Sequence, residues 1–313
     1  MKKFIYAIVA LMTLATACTK EGSIIKPKRV IFNIQIPEMQ VRSNGSQATS
    51  LYFAFFDENG TYLEELSYGT PDDCIRDFSS GEPICIKLVE GRTYTAIFWA
   101  QSPKAPYTVD LSKSKNMTID YSKISGNTNF NDAFYAHKTI AVTPSTTGGD
   151  IILKRPFAQL NIGVPATDIA DAKAAGVDIK SVQVTIPSLP TTLDFTTGAV
   201  SGSQNATFAW ANVGTSQSKI NDTDYTILST NYVLVGSETS PKALTNVTFE
   251  MSESAVASAS TDITNISRSF ESVPIQRNCR TYVLGNIISS SNDYIYTIKL
   301  GTSFDNEDNP IIN

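Results

Sequence analysis

Along residues 30–36, Val30, Phe32, Ile34 and Ile36 alternate with Ile31, Asn33 and Gln35. A period of two with one strongly apolar face predicts a β-strand. Pro37 closes it, and 37–50 is a polar stretch with an Asn44-Gly45 turn signal. Residues 51–56 and 61–66 flank Asp57-Glu58-Asn59-Gly60, so a hairpin is predicted there. Further β-rich runs occupy 84–89, 93–100, 117–121, 138–142 and 151–154. After the turn-forming residues 143–150 they resume at 158–164, 177–186, 206–210, 225–235, 246–251, 263–270, 281–288 and 294–300. Short strands separated by turn residues predict an all-β chain of the sandwich type. One short helix is predicted over 167–176, capped by Thr167 or Asp168 and stopped by Gly176. No internal repeat of solenoid period is present, which argues against the array architectures.

The first residues follow a different pattern. Lys2 and Lys3 precede an apolar run over 4–14, and Ala15-Thr16-Ala17 leads into Cys18. That order predicts an export signal over 1–17, removed before a cysteine that is then acylated. The apolar run is too short to span a bilayer. Lipidation of Cys18 would make the mature chain membrane-anchored, with 18–28 as a polar tether. The remaining length suits two domains of ordinary size, 29–155 and 156–313.

Composition narrows the chemistry. Hydrophobic residues make up 42% and charged residues 18%, as in a chain with a packed core. Removing Lys2 and Lys3 lowers Lys+Arg from 25 to 23 against 30 Asp+Glu, so the net charge moves from -5 to -7. Such an acidic chain is a poor partner for nucleic acid. In an oxidising compartment Cys74 and Cys85 could close a short loop across 75–83, worth roughly 2 to 3 kcal/mol, or they could be buried small apolar residues. Cys279 has no evident partner in the sequence.

Candidate catalytic groups are sparse. The one histidine, His137, lacks a Gly-x-Ser-x-Gly elbow or a catalytic-cysteine signature, so it reads as structural or solvated. With one histidine and no CxxC, the common zinc sites cannot be assembled, and no cofactor is implied. Glu64 and Glu65 would point to opposite faces of a strand, and Asp72-Asp73 follows Pro71 in a turn; both pairs read as solvated charge. Asp305-Asn306-Glu307-Asp308-Asn309 has Pro310 where a calcium loop needs glycine, so it reads as a polar tail. An enzyme is therefore not expected.

Four segments together resemble the fimbrillins of Bacteroidales, lipoprotein precursors of type V pili. They are 92–101 (RTYTAIFWAQ), 132–135 (DAFY), 153–162 (LKRPFAQLNI) and 276–286 (QRNCRTYVLGN). The resemblance implies two transthyretin-like β-sandwich domains in tandem, joined near Arg155. It also implies an exported outer-membrane lipoprotein that an arginine-specific protease cuts after the first strand, with the lost strand replaced by one from another subunit. Arg42, in the polar stretch after strand one, is the cleavage candidate, although an uncut loop arginine is the alternative. Burying Val30, Phe32, Ile34 and Ile36 in a groove is worth at most about 8 kcal/mol, at roughly 2 kcal/mol each. Within 294–313, Tyr294, Tyr296, Ile298 and Leu300 share one face and are donor-strand candidates, or else form an ordinary final strand. The implied partners are other copies or related pilus subunits, the protease, the outer membrane and a surface receptor. The competing expectation is a monomeric cell-surface lipoprotein that binds glycan or protein.

Overall fold

The computed structural model describes residues 27–36, 48–67, 83–236, 239–256, 266–289 and 294–304. The N-terminal strands are β1 (Pro27–Gln35), β2 (Ser50–Phe56), β3 (Ile84–Val89) and β4 (Thr93–Gln101). Next come β5 (Tyr107–Asp110), β6 (Asn116–Ile119), β7 (Ala133–Ala141) and β8 (Gly148–Ile152). A long strand β9 (Phe157–Pro165) leads into helix α1 (Ala166–Ala174). It is followed by β10 (Ser181–Leu189), β11 (Thr192–Asp194), β12 (Val200–Ser201), β13 (Gln204–Thr207) and β14 (Ala211–Asn212). Strands β15 (Ser216–Ile220), β16 (Thr223–Leu234), β17 (Lys242–Leu244) and β18 (Val247–Ser252) come next. The last are β19 (Ile266–Phe270), β20 (Val273–Ile275), β21 (Cys279–Gly285) and β22 (Tyr296–Ser303). The fold is all-β with one short α-helix among the described residues, as the periodicity predicts.

Two sandwich-like pairs of sheets carry the cores. In the first, the sheet ordered β3-β1-β8 faces the sheet ordered β2-β4-β7. Val30, Phe32, Phe53, Phe55, Ile84, Ile86, Phe98 and Phe134 share that core. In the second, the β13-β10-β18-β19 sheet faces the β15-β16-β9-β21-β22 sheet, with Val184, Phe249, Leu160, Ile162 and Val283 between them. Strands β2 and β4 of the β2-β4-β7 sheet are buried on both faces. Phe53, Phe55 and Phe98 point into the first core, while Tyr52, Phe56, Ile97 and Trp99 join the second. That is why these strands are apolar at nearly every position instead of alternating.

The second core also recruits residues that precede Arg155. Tyr107, Met117, Ile119 and Tyr121 belong to it, and β6 pairs with β11 in a sheet ordered β12-β11-β6-β5. The β5-β6 hairpin is thus a cross-link between the N- and C-terminal halves.

Several local expectations change. The arm expected as a strand over 61–66 is a single bridge, Phe56 to Tyr62, followed by a 3-10 turn over Glu64–Leu66. Ser67 explains the break: its hydroxyl accepts from the Phe55 N–H at 2.9 Å and donates to the Leu63 carbonyl at 2.7 Å. The ladder position that a strand residue would fill is satisfied by a side chain. Strand β7 starts at Ala133, five residues before the expected 138, because Ala133 to Ala136 pair with Gln101 to Phe98 of β4. Helix α1 begins one residue early, with Pro165 as its N-cap and no side-chain capping bond, so neither Thr167 nor Asp168 is the cap. Gly176 does end it. At φ +91°, its N–H reaches the Lys173 carbonyl while Val177 N reaches Ala172 O, a Schellman closure.

Candidate functional site

Strand β1 lies in the middle of its sheet. It pairs antiparallel with β3 from Pro27↔Val89 to Phe32↔Ile84, and parallel with β8 from Ile31↔Gly148 to Gln35↔Ile152. Val30 is 0% and Phe32 2% exposed, and Ile34 and Ile36 pack against the same core. The Phe32 ring lies 6.1 Å from Phe55 and 6.2 Å from Phe98, centroid to centroid. Gly148 permits the parallel contact. It sits at φ +116°, and a Cβ there would stand 1.7 Å from the Ile31 carbonyl oxygen. The four predicted groove residues therefore share one buried face between two flanking strands.

A second cluster gathers the sequence segments that carry the fimbrillin resemblance. Arg155, 0% exposed, donates from Nε to both Asp132 oxygens at 2.8 and 2.9 Å and from Nη2 to Oδ2 at 2.8 Å. Burial pushes the Asp132 carboxyl up, against the pull of Arg155. The Arg155 guanidinium carbon is 4.4 Å from the Phe134 ring and 4.2 Å from the Phe304 ring. Arg280 reaches Phe304 at 4.3 Å, and burial holds its own pKa below the ordinary arginine value. Nearby, Arg277 donates to Val235 O at 2.8 Å, to Tyr135 Oη at 2.8 Å and to Gly198 O at 2.6 Å. Segments 132–135, 153–162 and 276–286 thus form a junction between the halves. Phe304 lies outside all the segments that carry the resemblance, and nothing in the sequence marks it.

The donor-strand candidates lie at the edge of the five-stranded sheet. Among the described residues strand β22 pairs only with β21, from Gly285↔Tyr296 to Cys279↔Ser303, as a final strand of its own sheet. Tyr294, Tyr296 and Ile298 pack against the larger core, and Leu300 is half-buried opposite Thr281. The Tyr294 and Tyr296 rings stack at 5.8 Å, with Phe270 5.0 Å from Tyr296.

His137 is exposed on β7, at a shallow cleft of about 300 Å³ whose other walls include Tyr135, Ile152, Lys154, Thr196 and Gly198. Partial desolvation lowers the imidazole pKa, opposed by Asp194. Asp194 is committed to its own turn, accepting from Thr196 N at 2.7 Å and Thr196 Oγ1 at 2.6 Å. Glu64 and Glu65 are exposed on the 3-10 turn, not on opposite faces of a strand. Among the described residues no group of three or more His, Cys, Asp or Glu could hold a metal ion, and no helix is long and apolar enough to cross a membrane. Cys85 is exposed on β3, with Arg29 Nη2 at 3.4 Å from its sulfur. Cys18, Arg42, Cys74, Asp72-Asp73 and the 305–309 tail lie outside the described residues.

Residues 71–312 match the model of a protein family of unknown function, DUF6562. The chain belongs to that family. The DUF6562 match begins after β1 and β2 and covers both motif-bearing halves of the junction. No curated protein sequence matches. Among solved structures, a candidate adhesin from Bacteroides thetaiotaomicron VPI-5482 aligns with a TM-score of 0.50 at 12% identity, covering 93% of this chain and all (100%) of that one. A fimbrial anchor protein from Porphyromonas gingivalis aligns at a TM-score of 0.44 and 12% identity, over 88% of this chain and 97% of its own. A fimbrial assembly protein from Parabacteroides distasonis ATCC 8503 aligns at 0.44 and 12%, over 92% and 99%. These named neighbours of the DUF6562 chain are fimbrial and adhesion proteins, and the likeness to the first of them shows a shared fold.

Proposed function

We propose that the chain is a structural and adhesive fimbrial subunit whose first strand is a removable placeholder. The observation that carries this is the position of β1 between β3 and β8. Taking it out would leave two facing rows of unpaired backbone groups roughly 10 Å apart, twice the usual strand spacing. Between them the core around Phe55 and Phe98 would be open. A groove of that shape is a template for one incoming apolar strand.

In this account Cys18 is acylated, the precursor is held at the outer membrane, and an arginine-specific protease cuts after Arg42, removing lipid and β1 together. The vacated groove then accepts a strand from another copy or a related pilus subunit, with β22 and the residues after it as the donor candidate. The chain ends up in a fimbrium at the cell surface, built from two sandwich domains that divide near Arg155.

Intact-mass analysis of the purified precursor after arginine-specific digestion tests the processing step. A single dominant product beginning at Ser43 is expected, with Arg42→Ala remaining whole. A ragged digest, or an intact bond after Arg42, would remove the trigger.

A further inference from the structure

Phe304, at the end of β22, is 4% exposed and lies against groups from two distant segments, one around Arg155 and one over 278–280. Its N–H donates to the Asn278 carbonyl at 2.8 Å. Its ring contacts the guanidinium groups of Arg155 and Arg280 at 4.2 and 4.3 Å. Arg155 in turn contacts Phe134, at 4.4 Å. Phe134 belongs to the same buried cluster as Val30 and Phe32 of β1. Two guanidinium–ring contacts and one shared buried cluster therefore connect the first strand to the end of the last one.

We propose that Phe304 is a latch that holds the C-terminal strand β22 in place only while β1 fills the first core, so that loosening β1 loosens β22. The proposal rests on the strand-exchange reading for its purpose, but the coupling is a property of the uncut monomer. Among the described residues β22 is an edge strand with a ladder on one side, and the ring seated between two arginines anchors its end as the tyrosine pair anchors its start. Because Arg155 is enclosed and already bound to Asp132, a shift of Phe134 moves a rigid group and not a solvated side chain. The device would keep the donor strand docked in the precursor and free it in the same event that opens the acceptor groove.

Hydrogen–deuterium exchange on the full chain tests this without any assembly step. Phe304→Ala should speed exchange of the 296–303 amides by about tenfold, the size expected for losing two guanidinium–ring contacts. Phe32→Leu should speed exchange in β1 and β3, and should also raise that of 296–303 several-fold. In the Phe304→Ala background the added effect of Phe32→Leu on 296–303 should fall below about twofold, the signature of coupling in a double-mutant cycle. Strand β16 serves as the unaffected control. The stronger lesion Phe32→Ala repeats the comparison if the leucine variant leaves β1 unchanged. Exchange of 296–303 that ignores both Phe32 variants, or responds equally with and without Phe304, would overturn the latch. Those outcomes leave protease-triggered strand exchange standing, while failure of fibre formation alone leaves the latch standing.

Discussion

At the residue scale the Asp132–Arg155 pair has the largest individual consequence. Both side chains are enclosed, at 1% and 0% exposure, so removing one leaves an uncompensated buried charge. Arg155→Ala is expected to lower unfolding stability by about 3–5 kcal/mol, whereas Asp132→Leu with Arg155→Met should be markedly less damaging than either single change. Urea denaturation of the three variants decides it; additive losses would contradict the pairing. The exposed turn carboxylates set the acid response. The Ser122 hydroxyl, Gln204 and the Ser122 N–H hold Asp120 down to about 2. Partial burial would raise Asp110, but donors from Lys113, Ser114 and Ser112 hold it well below the usual range. For depressed folded values, stability is complete above the ordinary Asp value of about 3.9 and is lost as pH falls towards the folded one. Asp132, pushed up by burial, carries the opposite sign and offsets part of this. Thermal melts by circular dichroism should therefore show a carboxylate-dependent fall between about pH 4 and 2, below the separate decline that the lowered His137 pKa produces as pH drops past the ordinary imidazole value. The Asp110→Asn and Asp120→Asn variants should show a shallower fall; equal slopes would contradict these assignments.

Among the elements, β1 shows how far pattern alone reaches. Its alternation was legible because one face is buried and the other is not, and Val30, Phe32, Ile34 and Ile36 do share the buried face. Its place in the middle of the sheet was not legible, since pairing partners fifty and more residues away leave no local trace. The turn-forming stretch 143–150 was legible, but only the close approach to Ile31 explains Gly148 within it. Gly148→Ala combines a positive φ with a backbone clash, so it should cost at least about 2 kcal/mol and raise exchange in β1 before other strands. Uniform exchange across the chain would show that β8 is not what holds β1. The short strands β11, β12, β14 and β17 were missed because two or three residues carry no measurable period. The 61–66 arm was wrongly expected as a strand because a serine hydroxyl, not a strand neighbour, satisfies Phe55.

For the whole molecule, the junction ties the two halves into one mechanical unit. The β5-β6 hairpin crosses into the second core, Arg277 bonds Tyr135 on one side and Gly198 and Val235 on the other, and Phe304 bridges Arg155 and Arg280. In the proposed fibre, tension applied through an exchanged strand in one sandwich would have to reach the other through this junction. Three of the four segments that carry the resemblance in the sequence, 132–135, 153–162 and 276–286, build this junction. The proposed groove and trigger predict that the same chain is a monomer before one cut and a polymer after it. Negative-stain electron microscopy of the full-length precursor, with and without arginine-specific protease and beside the Arg42→Ala variant, tests that directly. Fibres in the cut wild-type sample alone are the predicted result. Separate particles after complete cutting, or fibres from the uncut variant, would contradict it.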